Sequence, residues 1–218
     1  MELRYPVAMN RSLMNPNERN LPIQKRAREK YELILQVTCE LLVEQGFSGL
    51  STREIARRAN CNIATVYRYF GSTNDIVMAL GEPFFNGISE LFDHMSSRLI
   101  KGDSLESVIR FFLTSLTEEV RQNTWILHAE AGIMTDKELI QWNVNFLEKI
   151  QIKLSGVLAL ASLKKTTAEL ECLSYRLVRH WKTYLRTLIE YDELAEADWL
   201  LADTVNTSVA LVEALIDA

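Results

Sequence analysis

The stretch STREIARRANCNIATVYRYF, residues 51–70, decides how this chain folds. Ser51 followed three positions later by Glu54 is a capping-box pattern, in which the hydroxyl accepts from the Glu54 amide and the carboxylate reaches back. A helix is expected to start there. Ile55, Ala56 and Ala59 fall on its inner face, and the two alanines are small enough to let a second helix cross closely. Asn60 stands where the chain must leave the helix; Asn accepts the left-handed conformation better than most residues, though less well than Gly. Asn62 is placed to cap the next helix. Its Ile63, Val66 and Phe70, at i, i+3 and i+7, share an inward face. Thr65, Tyr67, Arg68 and Tyr69 carry hydrogen-bonding groups, several of which must point outward. Two short helices joined by so tight a turn make a helix-turn-helix, the motif that lays its second helix in the DNA major groove.

The charge distribution fits that reading. The chain of 218 residues has a net charge of −5, which is the wrong sign for a DNA binder. Residues 1–75, however, hold 11 Lys and Arg against 8 Asp and Glu, a net +3, and residues 76–218 hold 13 against 21, a net −8. The basic part coincides with the motif, and DNA should repel the acidic remainder.

Residues 51–70 and their flanks resemble the DNA-binding domain of the TetR family of bacterial transcriptional regulators. Upstream, ILQVTCELLVEQGF (34–47) is similar to the family's first helix; downstream, VYRYF (66–70) with Gly71, Ser72, Asp75 and Ile76 is similar to the entry into its fourth. The resemblance covers about fifty residues. The family usually has Gly where this chain has Asn60, and often Lys where it has Thr73. The resemblance implies a ligand-responsive regulator, a repressor or alternatively an activator, that binds a palindromic double-stranded operator as a homodimer. DNA-contacting residues are then expected among Arg53, Asn62, Ala64, Thr65, Tyr67, Arg68, Tyr69 and Thr73. Arg53 would reach a guanine edge or a phosphate, Thr65 and Tyr67 bases or backbone, Tyr69 and Thr73 phosphates, and Ala64 a thymine methyl.

Beyond the motif, the chain reads as all-α. Prolines fall only at Pro6, Pro16, Pro22 and Pro83, and strand-like alternation is absent. Residues 1–22, with three of the four prolines, read as a flexible N-terminal arm, either a disordered tail or a minor-groove contact. Residues 23–72 read as a three-helix DNA-binding domain, with a first helix from Ile23 to Gln45 and a core stripe of Leu33, Ile34, Val37, Leu41 and Leu42. Residues 73–218 read as a larger helical domain for effector binding and dimerisation, about nine helices in all. The fourth helix starts at a Ser72–Asp75 box, with a kink or break expected at Gly81 and Pro83, before Phe84 to Ile100. Later starts are expected at Asp103–Glu106, Thr135–Glu138 and Thr166–Glu169, and the last helix over Glu196 to Ile216.

The family resemblance implies an effector pocket and a dimer made by the last two helices. Candidate pocket residues are Phe112, Leu116, Trp125, His128, Trp142, Phe146, Tyr175 and Arg179, though aromatic residues at helical spacing also suit a plain core. An inward Arg179 would favour an anionic or carbonyl-bearing effector. The last helices carry apolar residues on more than one side, which needs two partners; Leu173, Trp181, Leu185, Leu201, Val205, Val209 and Val212 are the candidate dimer residues. Control by a protein partner instead of a small molecule is the alternative. No nucleophile elbow, glycine-rich phosphate loop, HExxH or paired-acid motif argues for an enzyme, and no cofactor or metal site is expected. Cys39, Cys61 and Cys172, odd in number and widely spaced, read as reduced packing residues of a cytoplasmic protein. No run of the sequence suits a membrane span or a secretory signal.

Overall fold

The computed structural model describes residues 25–161, 165–190 and 198–216, and among them helices are the only regular secondary structure. The helices are α1 (Lys25–Gln45), α2 (Thr52–Arg58), α3 (Ile63–Tyr69), α4 (Thr73–Ile100), α5 (Leu105–Gln122), α6 (Trp125–Ile133), α7 (Lys137–Leu160), α8 (Thr167–Glu190) and α9 (Asp198–Ile216). A 3₁₀ turn, Phe47–Gly49, joins α1 to α2. The expected N-terminal arm, the first two residues expected in the first helix and the expected start of the last helix at Glu196 lie outside the described residues. No described helix is long and apolar enough to cross a membrane.

Two compact units form, and α4, α5 and α7 each contribute to both. Among the described residues, one contains 25–83 and 122–143, and the other contains 84–121 and those of 144–216. In the first, α1 buries Ile34, Leu35, Val37, Thr38, Cys39, Leu41 and Leu42. Leu33, expected in that stripe, is half-buried, and Leu35 and Cys39 take its place in the core. Burial pushes the Cys39 thiol up to about 12. Cys172 is exposed, not a packing residue as expected. Gly46 ends α1 at φ +67, a conformation open to residues without a Cβ.

The same unit includes a helix from far along the chain. Helix α6 packs on α1 and on the 3₁₀ turn. The Phe47 ring lies directly against Gly132, so close that a Cβ built there would overlap the ring. Asn74 Nδ2, at the start of α4, also donates to Glu138 Oε2 in the first turn of α7 at 3.0 Å.

In the second unit α8 packs on α9, with the Trp181 indole N–H donating to Ser208 Oγ at 2.9 Å. Phe112 lies between Phe92 and Trp181, with centroids 4.8 Å from each. Three helix starts differ from or sharpen the expected ones. Ser104, not Asp103, caps α5 by accepting from the Ser107 amide, because Asp103 is drawn into an ion pair with Arg98 at 2.7 Å. Asp136, not Thr135, caps α7, accepting from the Glu138 and Leu139 amides, while the Thr135 hydroxyl donates to the Gly132 carbonyl. The Thr166–Glu169 box forms as expected, in both directions.

Of the kink or break expected at Gly81 and Pro83, the break does not occur: α4 is one helix with Pro83 inside it. A proline inside a helix costs about 3 kcal/mol. Ile76, Val77, Leu80, Phe84, Ile88, Phe92 and Met95 are all buried along α4. At roughly 1.5–3 kcal/mol per buried apolar side chain, that burial outweighs one lost hydrogen bond.

Of the glycines described, Gly132 is the one where an added Cβ would meet a neighbour most closely. Gly132→Ala is expected to destabilise the protein by about 1–3 kcal/mol through overpacking, read as a lower midpoint in urea unfolding. Gly156→Ala, where a Cβ would meet nothing within 4 Å, is the control and should hold the native midpoint or exceed it.

Candidate nucleic-acid interface

The interface is built on two seven-residue helices, too short to be stable alone. Local hydrogen bonds and burial hold them. Ser51 Oγ accepts from the Glu54 amide at 3.2 Å and Asn62 Oδ1 from the Ala64 amide at 3.0 Å, each cap worth about 1 kcal/mol. Ser72 Oγ caps α4 by accepting from the Asp75 amide. Ile55, Ala56, Ala59 and Val66 are at most 4% exposed, which lets α2 and α3 cross closely. Asn60 turns the chain at φ +46, the one described non-glycine residue at positive φ. Its neighbours close the turn, the Cys61 amide donating to the Ala56 carbonyl at 3.0 Å. Lys30 Nζ, from α1, donates to the Ala59 carbonyl at the C-terminal end of α2, where a cation is favoured.

The reciprocal half of the capping box is not seen. The Glu54 carboxylate instead accepts from Arg57 Nη2 at 2.6 Å and Nε at 2.8 Å, and from Arg58 Nε at 3.2 Å. Arg58 continues to Glu44 on α1, 2.6 Å away. Two guanidiniums satisfy the carboxylate better than one backbone amide does. The hydrogen bond from Arg57, reinforced by Arg58, holds the Glu54 carboxyl down to about 2.

The outward surface is partly as expected. Arg53, Asn62, Ala64, Tyr67 and Arg68 are exposed, and Thr65 and Thr73 are half-buried. Tyr69 is not outward: its ring is 9% exposed and packs edge-on to Tyr31 of α1 at 6.0 Å. Its hydroxyl accepts from Arg68 Nη2 at 3.0 Å, and the guanidinium lies 4.9 Å above the ring. Tyr31 also stacks on Phe70 at 4.9 Å, so the end of α3 is anchored to α1 by three rings. Ile63, expected to point inward, is 38% exposed, because the first turn of α3 lies beyond the crossing with α2. One contact had no signal in the sequence: the Tyr67 hydroxyl lies 3.1 Å from Thr52 Oγ1, joining α3 to the first residue of α2. The two residues lie on different helices, so no periodicity links them.

Residues 34–80 match the family model for bacterial regulatory proteins, tetR family. Over that span the chain carries the helix-turn-helix domain of the TetR family. It is 28% identical over 134 residues to the uncharacterized HTH-type transcriptional regulator YvdT of Bacillus subtilis (strain 168), an alignment spanning 58% of this chain and 67% of that one. Its fold is similar to that of a TetR-family transcriptional regulator from Streptomyces coelicolor, with a TM-score of 0.58 at 19% identity over 85% of this chain and 99% of the other. It is also similar to that of the transcriptional regulator FadR from Bacillus subtilis in complex with stearoyl-CoA, with a TM-score of 0.59 at 18% identity over 85% and 97%. The matched span includes the helix-turn-helix, the DNA-binding element of that family.

The other expected site residues are distributed over both units. Of the eight candidate pocket residues, Trp125, His128 and Trp142 belong to the first unit and Phe112, Leu116, Phe146, Tyr175 and Arg179 to the second. Phe112, Leu116 and Trp125 are core. Phe146 is half-buried and stacks on Phe85 at 3.5 Å. His128 is exposed and Trp142 half-buried. Arg179 is exposed and lies 4.6 Å over the equally exposed Tyr175 ring, so it does not face inward. The second unit instead has an open cleft of about 1090 Å³ whose lining includes Glu90, His94, Glu119, Arg121, Tyr184 and Asp198, and none of the eight. Burial, with Glu118 and Glu90 nearby, raises the Glu119 carboxyl above the usual carboxylate range.

Of the candidate dimer residues, Leu173, Trp181, Val205 and Val212 are at most 3% exposed within the single chain and form its own core. Trp181 packs on Phe112 of α5 and donates to Ser208 of α9. Leu185, Leu201 and Val209 are half-buried.

Two outcomes follow from the turn and the ion network. Asn60→Gly should relieve the left-handed backbone and stabilise the protein by about 0.5–1 kcal/mol, read by thermal unfolding. Glu54 has a lowered folded-state value, so its contribution to stability is full above the ordinary 4.5 and is lost as the pH falls toward 2. Glu54→Gln should flatten that part of the stability–pH curve in urea titrations; an unchanged slope would count against the network.

Proposed function

We propose that this DNA-binding regulator is a ligand-responsive repressor that binds a palindromic operator as a homodimer and catalyses no reaction. The observation that carries the DNA-reading part is the exposed face of α3: Ala64, Tyr67 and Arg68 stand out together, beside Arg53 of α2 and behind two formed helix caps. The DNA-binding role belongs to residues 23–72, and effector binding and dimerisation to residues 73–218. Arg53 reads a guanine edge or holds a phosphate, Ala64 approaches a thymine methyl, and Thr65, Tyr67, Arg68 and Thr73 serve bases or backbone. Asn62 holds the start of the reading helix. Tyr69 acts indirectly, by anchoring α3 and restraining Arg68.

A dimer would place two reading helices on two half-sites, which accounts for a palindrome. Its surface would use the partly open side chains Leu185, Leu201 and Val209. The cleft of the second unit offers room for an effector, and its four carboxyl groups, Glu90, Glu118, Glu119 and Asp198, against the one arginine, Arg121, disfavour a phosphate-rich one. The stearoyl-CoA in the B. subtilis FadR structure is therefore not carried over to this chain. A cytoplasmic location accords with a DNA target.

The test is to let the full chain select duplexes from a random-sequence pool. An enriched inverted repeat is expected, with affinity falling steeply as salt rises. Arg53→Ala should weaken binding to the enriched duplex by about 1–3 kcal/mol. Recovery of no preferred sequence would overturn the reading.

A further inference from the structure

The pair formed by Thr52 and Tyr67 has a role that neither residue has alone. Tyr67 is 53% exposed, and an exposed tyrosine ring ordinarily moves among rotamers. Here its hydroxyl is held 3.1 Å from Thr52 Oγ1. Thr52 is the first residue of α2, and the adjacent Ser51 cap fixes the backbone there. A β-branched side chain is stiff about its first torsion, so Thr52 makes a rigid post. Two hydroxyls that share one hydrogen bond keep one O–H proton free. If Thr52 donates to Tyr67, the free proton is on the tyrosine, at the tip of the exposed ring. An acceptor oxygen beyond the ring favours that order, since hydrogen bonds in a chain strengthen one another.

We propose that Thr52 is a positioning residue for DNA binding: its hydroxyl fixes the Tyr67 hydroxyl with the proton outward, ready to donate to an acceptor oxygen of the duplex. Part of the entropy cost of ordering Tyr67 on the DNA is thereby met in the free protein. The inference rests on the reading above that Tyr67 faces DNA.

The experiment is a double-mutant cycle on the full chain, with Thr52→Val, Tyr67→Phe and the pair combined. Affinity is measured by fluorescence anisotropy on the duplex enriched from the random pool and on a scrambled duplex of the same composition, and thermal melts confirm folding. Tyr67→Phe should weaken binding about three- to tenfold, the worth of one hydrogen bond. Thr52→Val should cost a similar factor in the native background and nothing further beside Tyr67→Phe. Thr52→Ser should restore most of the affinity, although valine matches the shape of threonine more closely. Equal losses on both duplexes would identify the acceptor as a phosphate oxygen, and a loss confined to the enriched duplex a base edge; both support the proposal. Two results would overturn it while leaving Tyr67 on the DNA: a Thr52→Val loss that persists beside Tyr67→Phe, or no Thr52→Val loss where Tyr67→Phe has one. If Tyr67→Phe binds as tightly as the native chain, the assignment of Tyr67 to the DNA surface itself fails.

Discussion

The close crossing of α2 and α3 is the constraint on which the DNA-binding head depends. Ala59 is fully buried and Ala56 nearly so, and neither has side-chain bulk to hold the two helices apart. The chain must then reverse within three residues, and Asn60 does so from the left-handed region. Each neighbouring feature serves this geometry. Two caps start the helices where the crossing needs them, Lys30 satisfies a carbonyl at the end of α2, and the rings of Tyr31, Tyr69 and Phe70 fix the end of α3. With helices this short, such local terms decide whether the motif forms at all.

Arginines near a DNA-reading helix are easily taken for phosphate contacts. Here the charge of Arg57 and Arg58 is largely spent within the protein, on Glu54 and Glu44. Exposed ion pairs contribute little individually, but this set shares carboxylates and ties α1 to α2. It also leaves Arg53 and Arg68 to carry more of the outward positive charge of the motif. Arg68 is restrained on the Tyr69 ring, so the two outward guanidiniums differ in how freely they can reorient.

The parts legible in the sequence are those specified over short distances. Ser51, Asn62, Ser72 and Thr166 cap helices because a cap needs only a side chain and an amide two or three residues on. Where two candidates lay side by side, as Asp103 with Ser104 and Thr135 with Asp136, a distant or neighbouring partner decided between them. The helical fold and the reading motif were legible for the same local reason. The pocket and dimer residues were not, because an apolar stripe shows that a face is buried without showing against what. Leu173, Trp181, Val205 and Val212 satisfied the pattern of an interface and are already buried within the single chain. The inward turn of Tyr69 depended on Tyr31, thirty-eight positions earlier, and no spacing rule connects them.

The seating of Phe47 on Gly132 joins residues 85 positions apart, both within the unit that contains the DNA reader. During synthesis the three-helix segment emerges first, with one side of α1 and the Phe47 ring still uncovered. It acquires its native neighbour only after α6 has left the ribosome. The reader is thus finished late, by a long-range contact of the kind that slows folding. A nascent chain stalled before residue 133 would hold a complete helix-turn-helix sequence and an incomplete helix-turn-helix unit.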